Sequence, residues 1–165
     1  MAAKVRPSIV GIEVEYSVNS IFYRNTSTAT AAGSGIIISE DGYILTNNHI
    51  VNSSSSSYYY ELGKANKVTV TLYNDKTKYD ATIVGTDSQT DLAVIKIEKS
   101  GLTAAELGDS DAVQVGEFAM AIGNPLGLTD SVTAGIISAV NREVSDQDGN
   151  CLLYTSPSPR DMRRS

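Results

Sequence analysis

Alternation of apolar and polar residues is cleanest in Val68 to Tyr73, VTVTLY, which predicts a strand with Val68, Val70 and Leu72 facing inward. Two further apolar runs, Ile36 to Ser39 and Tyr43 to Thr46, flank Glu40-Asp41-Gly42. That turn signal, with Gly free to take a positive φ, predicts a tight hairpin. Ile9 to Tyr16 reads as a first strand with imperfect alternation. Asn74-Asp75-Lys76 turns the chain into Tyr79 to Gly85, and Leu92 to Ile97 follows. Ser17 to Thr30 and Asn52 to Lys67 are polar and read as surface loops, the second holding five serines and Tyr58-Tyr59-Tyr60. Ile21-Phe22-Tyr23, an apolar patch in the first loop, reads as a local anchor or a subunit contact.

These strands predict an antiparallel barrel of about six strands from about Ile9 to Ile97, which removes open sheet edges. Gly101 to Val115 is the crossover, and Phe118 to Ile122 with Ser131 to Val140 makes a second hairpin around Asn124-Pro125-Leu126-Gly127. Gly123 and Gly127 are too sparse for a phosphate loop, and no helical pattern follows them.

Composition narrows the function classes. The 165 residues are 41% apolar and 19% charged, enough for one globular domain, and nine tyrosines with no tryptophan suit an all-β protein. A net charge of −6 weighs against a nucleic-acid partner, which wants a basic face. Nothing approaches the roughly 18 consecutive apolar residues of a membrane helix. One histidine and one cysteine are too few for an ordinary zinc site.

That one histidine, His49, follows the second strand of the first hairpin, in Asn47-Asn48-His49. A histidine there is held by a rigid scaffold and stays reachable, the mounting a general base wants. On the hairpin alone, an ordinary surface or core histidine is the commoner reading. Asp91, opening the strand of Thr90-Asp91-Leu92-Ala93-Val94-Ile95-Lys96-Ile97, taken alone is an ordinary polar residue at a strand start.

Together these stretches resemble the trypsin-like serine proteases of the HtrA/Deg family. GSGIIISEDGYILTNNHIV, TDLAVIKI, AMAIGNPLGL and SVTAGIISAVNR occur in the family's order, over roughly Pro7 to Arg142. The resemblance implies an all-β, trypsin-like double β-barrel, with the first barrel complete and the second truncated after about two strands. It implies a serine endopeptidase working by acyl transfer, with no metal or cofactor, His49 the catalytic base and Asp91 the carboxylate that orients it. The family's nucleophile lies in a Gly-Asn-Ser-Gly-Gly loop, a string this sequence does not contain, so the chain as it stands is expected to be inactive. Gly33-Ser34-Gly35 matches the family's first-barrel strand instead, and Ser34 reads as structural. The implied partners are unfolded proteins or peptides and further copies of the chain in a trimer-based homo-oligomer. The implied location is the bacterial cell envelope, with an upstream signal or anchor segment and a PDZ module outside this sequence, and with Met1 an internal or misassigned start.

Cys151 to Asp161, CLLYTSPSPRD, continues no strand pattern and resembles one reading frame of a transposase-type sequencing-library adapter. On that reading residues 151–165 are foreign, Cys151 is no nucleophile, and Arg160, Arg163 and Arg164 are no nucleic-acid patch. The expected organisation is then a first barrel over 1–100, a crossover and first strands of the second over 101–150, and the artefactual tail. A β-barrel pseudo-protease or peptide-binding module lacking the serine is the non-enzymatic alternative. An intact TNNHIV beside TDLAVIKI argues against it, since a binding module has no need of a base and its orienter.

Overall fold

Gly42 takes φ +103°, and a Cβ there would lie 2.3 Å from the carbonyl oxygen of Ile97, so only glycine fits the expected turn. It joins β2 (Thr26–Ile37) to β3 (Tyr43–Asn47), which pair antiparallel with Ile36 opposite Leu45. The computed structural model describes residues 2–20, 26–52, 56–57, 60–123, 131–140, 142–145 and 151–154. For 18–20, 26–27, 56–57, 60–64, 142–145 and 151–154 the backbone alone is described. Ile21-Phe22-Tyr23, Tyr58-Tyr59 and the turn Asn124-Pro125-Leu126-Gly127 lie outside the described residues.

Ahead of the first strand runs a short helix, α1 (Ala2–Val5), then a 3₁₀ turn at Arg6–Ser8. The strands β1 (Ile9–Ser20), β2, β3, β7 (Leu92–Ile97), β6 (Lys78–Asp87) and β5 (Tyr60–Thr71) follow one another around a sheet. Pairing of β1 with β5, from Gly11 opposite Thr71 to Ser20 opposite Tyr60, closes it into a six-stranded barrel. The two-residue β4 (Ser56–Ser57) adds to β5. Inside lie Val10, Ile12, Val14, Ile37, Ile44, Val68, Val70, Ala93, Ile95 and Ile97, all buried. Burying them is the main stabilisation of the barrel, at about 25 cal/mol per Å² of apolar surface.

Both expected loops are partly strand. Ser17–Ser20 continues β1, and Thr26–Thr30 belongs to β2, whose pairing with β1 runs from Ile9 opposite Ile36 to Asn19 opposite Thr26. The cause is a period-two pattern written in small residues: Thr28 and Thr30 are exposed while Ala29 and Ala31 turn inward. Tyr60–Lys67 likewise extends β5, with Ala65 packed on the core and register shifts on either side of Tyr16 taking up the extra chain. Leu102 and Ala104 of the crossover also pack on the core, tied by Leu102 N–H to the Glu40 carbonyl and Ala105 N–H to that of Ile37.

Contacts divide the chain into Met1–Ala105 with Gly123–Ser131, and Glu106–Ile122 with Val132–Ser165. In the second unit β8 (Phe118–Gly123) pairs with β9 (Ser131–Ile136). The return strand is shorter than expected, because Ile137 leaves it to exchange hydrogen bonds with Gly116 and Glu117. A second pair joins β10 (Arg142–Ser145) to β11 (Cys151–Tyr154), Arg142 opposite Tyr154 and Ser145 opposite Cys151. The expectation that Cys151 onward continues no strand pattern therefore fails for its first four residues, of which Leu152, Leu153 and Tyr154 suit an extended backbone. No helix among the described residues is long and apolar enough to cross a membrane.

Candidate active site

The end of β3 breaks directly into a one-turn helix, α2 (Asn48–Val51), which the sequence pattern did not predict. Packing rather than propensity holds so short a helix. Val51 is buried, the Tyr16 hydroxyl donates to the Ile50 carbonyl, and Ile50 lies over Gly33, where a Cβ would come within 2.9 Å of its Cδ1. Gly35 is closed in by Ile12 and Ile44, and the Ser34 carbonyl accepts from the buried Thr46 hydroxyl at 2.9 Å. Gly33-Ser34-Gly35 thus lets the helix and the core approach β2, in keeping with a structural Ser34.

Asp91 arrives beside that strand end, just before β7, which pairs with β3 from Asn47 opposite Leu92 to Tyr43 opposite Lys96. The turn ahead of it is held by Asp87, whose carboxylate accepts from the Thr90 hydroxyl at 2.8 Å and from Gln89 N–H at 2.9 Å. The Thr90 bond first, and then Gln89 N–H, holds the Asp87 carboxyl below the usual range. Asp91 itself has φ 54°, a left-handed conformation that Asp tolerates better than most residues.

The structure brings His49 and Asp91 together. His49 Nδ1 lies 2.7 Å from Asp91 Oδ2, and His49 N–H donates to Oδ1 at 2.9 Å. Asn48 N–H donates to the Asp91 carbonyl at 3.0 Å. The His49 side chain is 65% exposed and that of Asp91 23%, so the carboxylate sits behind a ring that faces outward. No hydrogen bond engages Nε2 among the described residues. With Nδ1 donating to the carboxylate, Nε2 is left as an acceptor, able to take a proton from a hydroxyl that approaches it from solvent.

Sequence reasoning passed over Asn47 and Asn48 as parts of a motif, and the two diverge. Asn48 is buried, its Oδ1 without a hydrogen-bond partner among the described residues, while Asn47 stays exposed and reaches Asp91. The available signal was an amide doublet where strand gives way to helix, a place where Asn side chains bond to nearby backbone. Among the described residues no group of three or more His, Cys, Asp or Glu could hold a metal ion.

Residues 33–161 match the family described as the trypsin-like peptidase domain. Over 110 residues the chain is 49% identical to a probable periplasmic serine endoprotease DegP-like of Chlamydia trachomatis serovar D, covering 67% of this chain and 20% of that protein. Over 119 residues it is 43% identical to the protein of the same description from Pseudomonas fulva, covering 72% of this chain and 22% of that one. The chain therefore spans about a fifth of the length of these curated relatives. A solved structure described as the HtrA-type protease AlgW with decapeptide superposes with a TM-score of 0.68 at 30% identity, covering 90% of this chain and 46% of that one. Sequence and fold point the same way over the same stretch, and the chain belongs to the trypsin-like peptidase domain family, within its HtrA/Deg serine proteases.

Proposed function

We propose that this chain is the base-bearing part of a serine endopeptidase that cleaves unfolded or damaged proteins outside the cytoplasm. The observation that carries the reading is the 2.7 Å pairing of His49 Nδ1 with Asp91 Oδ2 on a ring whose Nε2 no other described residue engages. In the proposed reaction a serine hydroxyl attacks a peptide carbonyl while His49 Nε2 takes its proton. Asp91 accepts from Nδ1–H and stabilises the imidazolium, and His49 then returns the proton to the departing amine. The serine would come from a Gly-Asn-Ser-Gly-Gly loop, absent from these 165 residues, so this chain alone performs no turnover. The periplasmic relatives support an extracytoplasmic setting, and the HtrA-type structure with a peptide supports peptide substrates. A trimer-based homo-oligomer, a membrane anchor and a PDZ module belong to the same proposal.

Two chains assayed on unfolded casein test it: this one, and a longer one of the same gene reaching through the nucleophile loop. The longer chain should hydrolyse casein, and His49→Ala in it should cost about 10⁶ in kcat, equivalent to about 8 kcal/mol of barrier. A longer chain that stays inactive under activating conditions would hand the barrel to the non-catalytic, peptide-binding reading. Hydrolysis by the 165-residue chain that His49→Ala abolishes would mean a different nucleophile.

A further inference from the structure

Asn47 stands at the N-cap of α2 yet makes no cap bond to its own helix. An asparagine in that place ordinarily uses its side-chain oxygen on the N–H two or three residues on. Here that N–H, of His49, is taken by Asp91 Oδ1 at 2.9 Å, a carboxylate delivered from a distant turn. The Asn47 amide is turned the other way. Its Nδ2 lies 3.1 Å from the Asp91 carbonyl oxygen and 3.1 Å from Asp91 Oδ2. Both partners are acceptors only, so the NH₂ end must face them, and its two hydrogens match the two oxygens. The capping exchange is reciprocal: the carboxylate caps the helix, and the cap residue braces the carboxylate.

We propose that Asn47 is a positioning residue for the His49–Asp91 pair, an inference that rests on reading His49 as the base. Asp91 Oδ2 accepts from Asn47 Nδ2–H as well as from the imidazole Nδ1–H. With Oδ1 held by His49 N–H, the carboxylate cannot rotate without losing a donor. The same amide also holds the main-chain carbonyl of Asp91, which sits at φ 54°. Asn47 touches neither a substrate nor the reacting nitrogen. It acts through Asp91, fixing which ring nitrogen carries the proton.

The chain's single histidine makes that proton directly readable. Long-range ¹H–¹⁵N spectra of the labelled 165-residue chain, with the ring neutral, report the ratio of Nδ1–H to Nε2–H tautomers. The native chain should favour Nδ1–H. Asp91→Asn should lower the ratio about tenfold and Asn47→Ala about threefold, as loss of a bond to a charged group compared with loss of its brace. Asn47→Asp keeps the shape, removes both hydrogens and sets a like charge against Oδ2, so it should lower the ratio further than alanine. Thr46→Val, which deletes the bond to Ser34, should lower the melting temperature and leave the ratio alone. Native-like ratios in folded Asn47→Ala and Asn47→Asp chains, with Asp91→Asn shifted, would overturn the role of Asn47 while leaving the pair intact. An equal shift in Thr46→Val would also overturn it, as general loosening of the strand end. An unshifted Asp91→Asn would instead overturn the pairing on which the catalytic reading stands.

Discussion

At the scale of single residues, Asp91 is the point where most of the local geometry converges. Its carbonyl and both carboxylate oxygens take donors from Asn47, Asn48 and His49, so orienting the ring and capping the helix are one arrangement. Gly42 does comparable work at the other end of β3. With φ +103° and the Ile97 carbonyl 2.3 Å from where a Cβ would sit, alanine meets both backbone strain and a backbone clash. Gly42→Ala should therefore cost about 3 kcal/mol of barrel stability, measured by denaturant unfolding. A loss under about 1 kcal/mol would mean that the turn relaxes, and that β3 is not held in register from that end. His49 was legible in the sequence as a residue type at a strand end, and Asp91 only through its resemblance motif. The αL conformation of Asp91 and the bracing by Asn47 were not, because both depend on a contact across more than forty residues that no local pattern encodes.

At the scale of elements, the strands with large alternating side chains were legible, and the structure has β7 at Leu92–Ile97 as read. What escaped was pattern carried by Thr, Ser and Ala in β2, because small inward residues bury little apolar surface and resemble a loop in composition. Helix α2 escaped too, since its four residues are held by Tyr16, Gly33 and Asp91 rather than by helical periodicity. The turn from β5 to β6 carries a polar cluster whose pH response follows from its bonds. Asp75 accepts from Thr77 N–H at 2.9 Å and the Tyr79 hydroxyl at 2.8 Å, while Lys99 Nζ lies 2.6 Å from that hydroxyl. Hydrogen bonding from Thr77 first, then Tyr79, with Lys99 adding attraction, lowers the Asp75 pKa from 3.8 to about 2. A carboxyl depressed in the folded state binds its proton more readily when unfolded, so its contribution is whole above 3.8 and fades as pH falls towards 2. Lys99, raised chiefly by the Tyr79 hydroxyl, also stabilises the fold, but its contribution is lost as pH rises rather than as it falls. Asp75→Asn should accordingly be less stable than the native chain at pH 5, with the gap closing by pH 2 in parallel denaturation series. A gap that stays constant across that range would place the role of Asp75 in shape rather than charge.

At the scale of the whole molecule, the barrel's buried side chains among the described residues come from positions up to Ile97, and its closure is completed by β1 against β5. Among the described residues, none beyond 150 belongs to that circuit. Among the described residues β11 pairs with β10, in the other unit, through four residues of the stretch that the sequence reading expects to be foreign. A short two-stranded ribbon is marginal in water by itself, so its pairing is weak evidence that the segment was selected to fold. Deleting residues 151–165 should then leave the barrel as it was. Amide exchange is the appropriate measurement, because it reads the barrel separately from less stable parts of the chain. Protection at Ile44, Val70 and Ile95, at the centre of the closed sheet, should change by less than about twofold on deletion, while protection in Arg142–Ser145 should be lost. A fall in protection at those barrel positions would show that the tail contributes to the first unit's stability, which a foreign appendage has no physical reason to do.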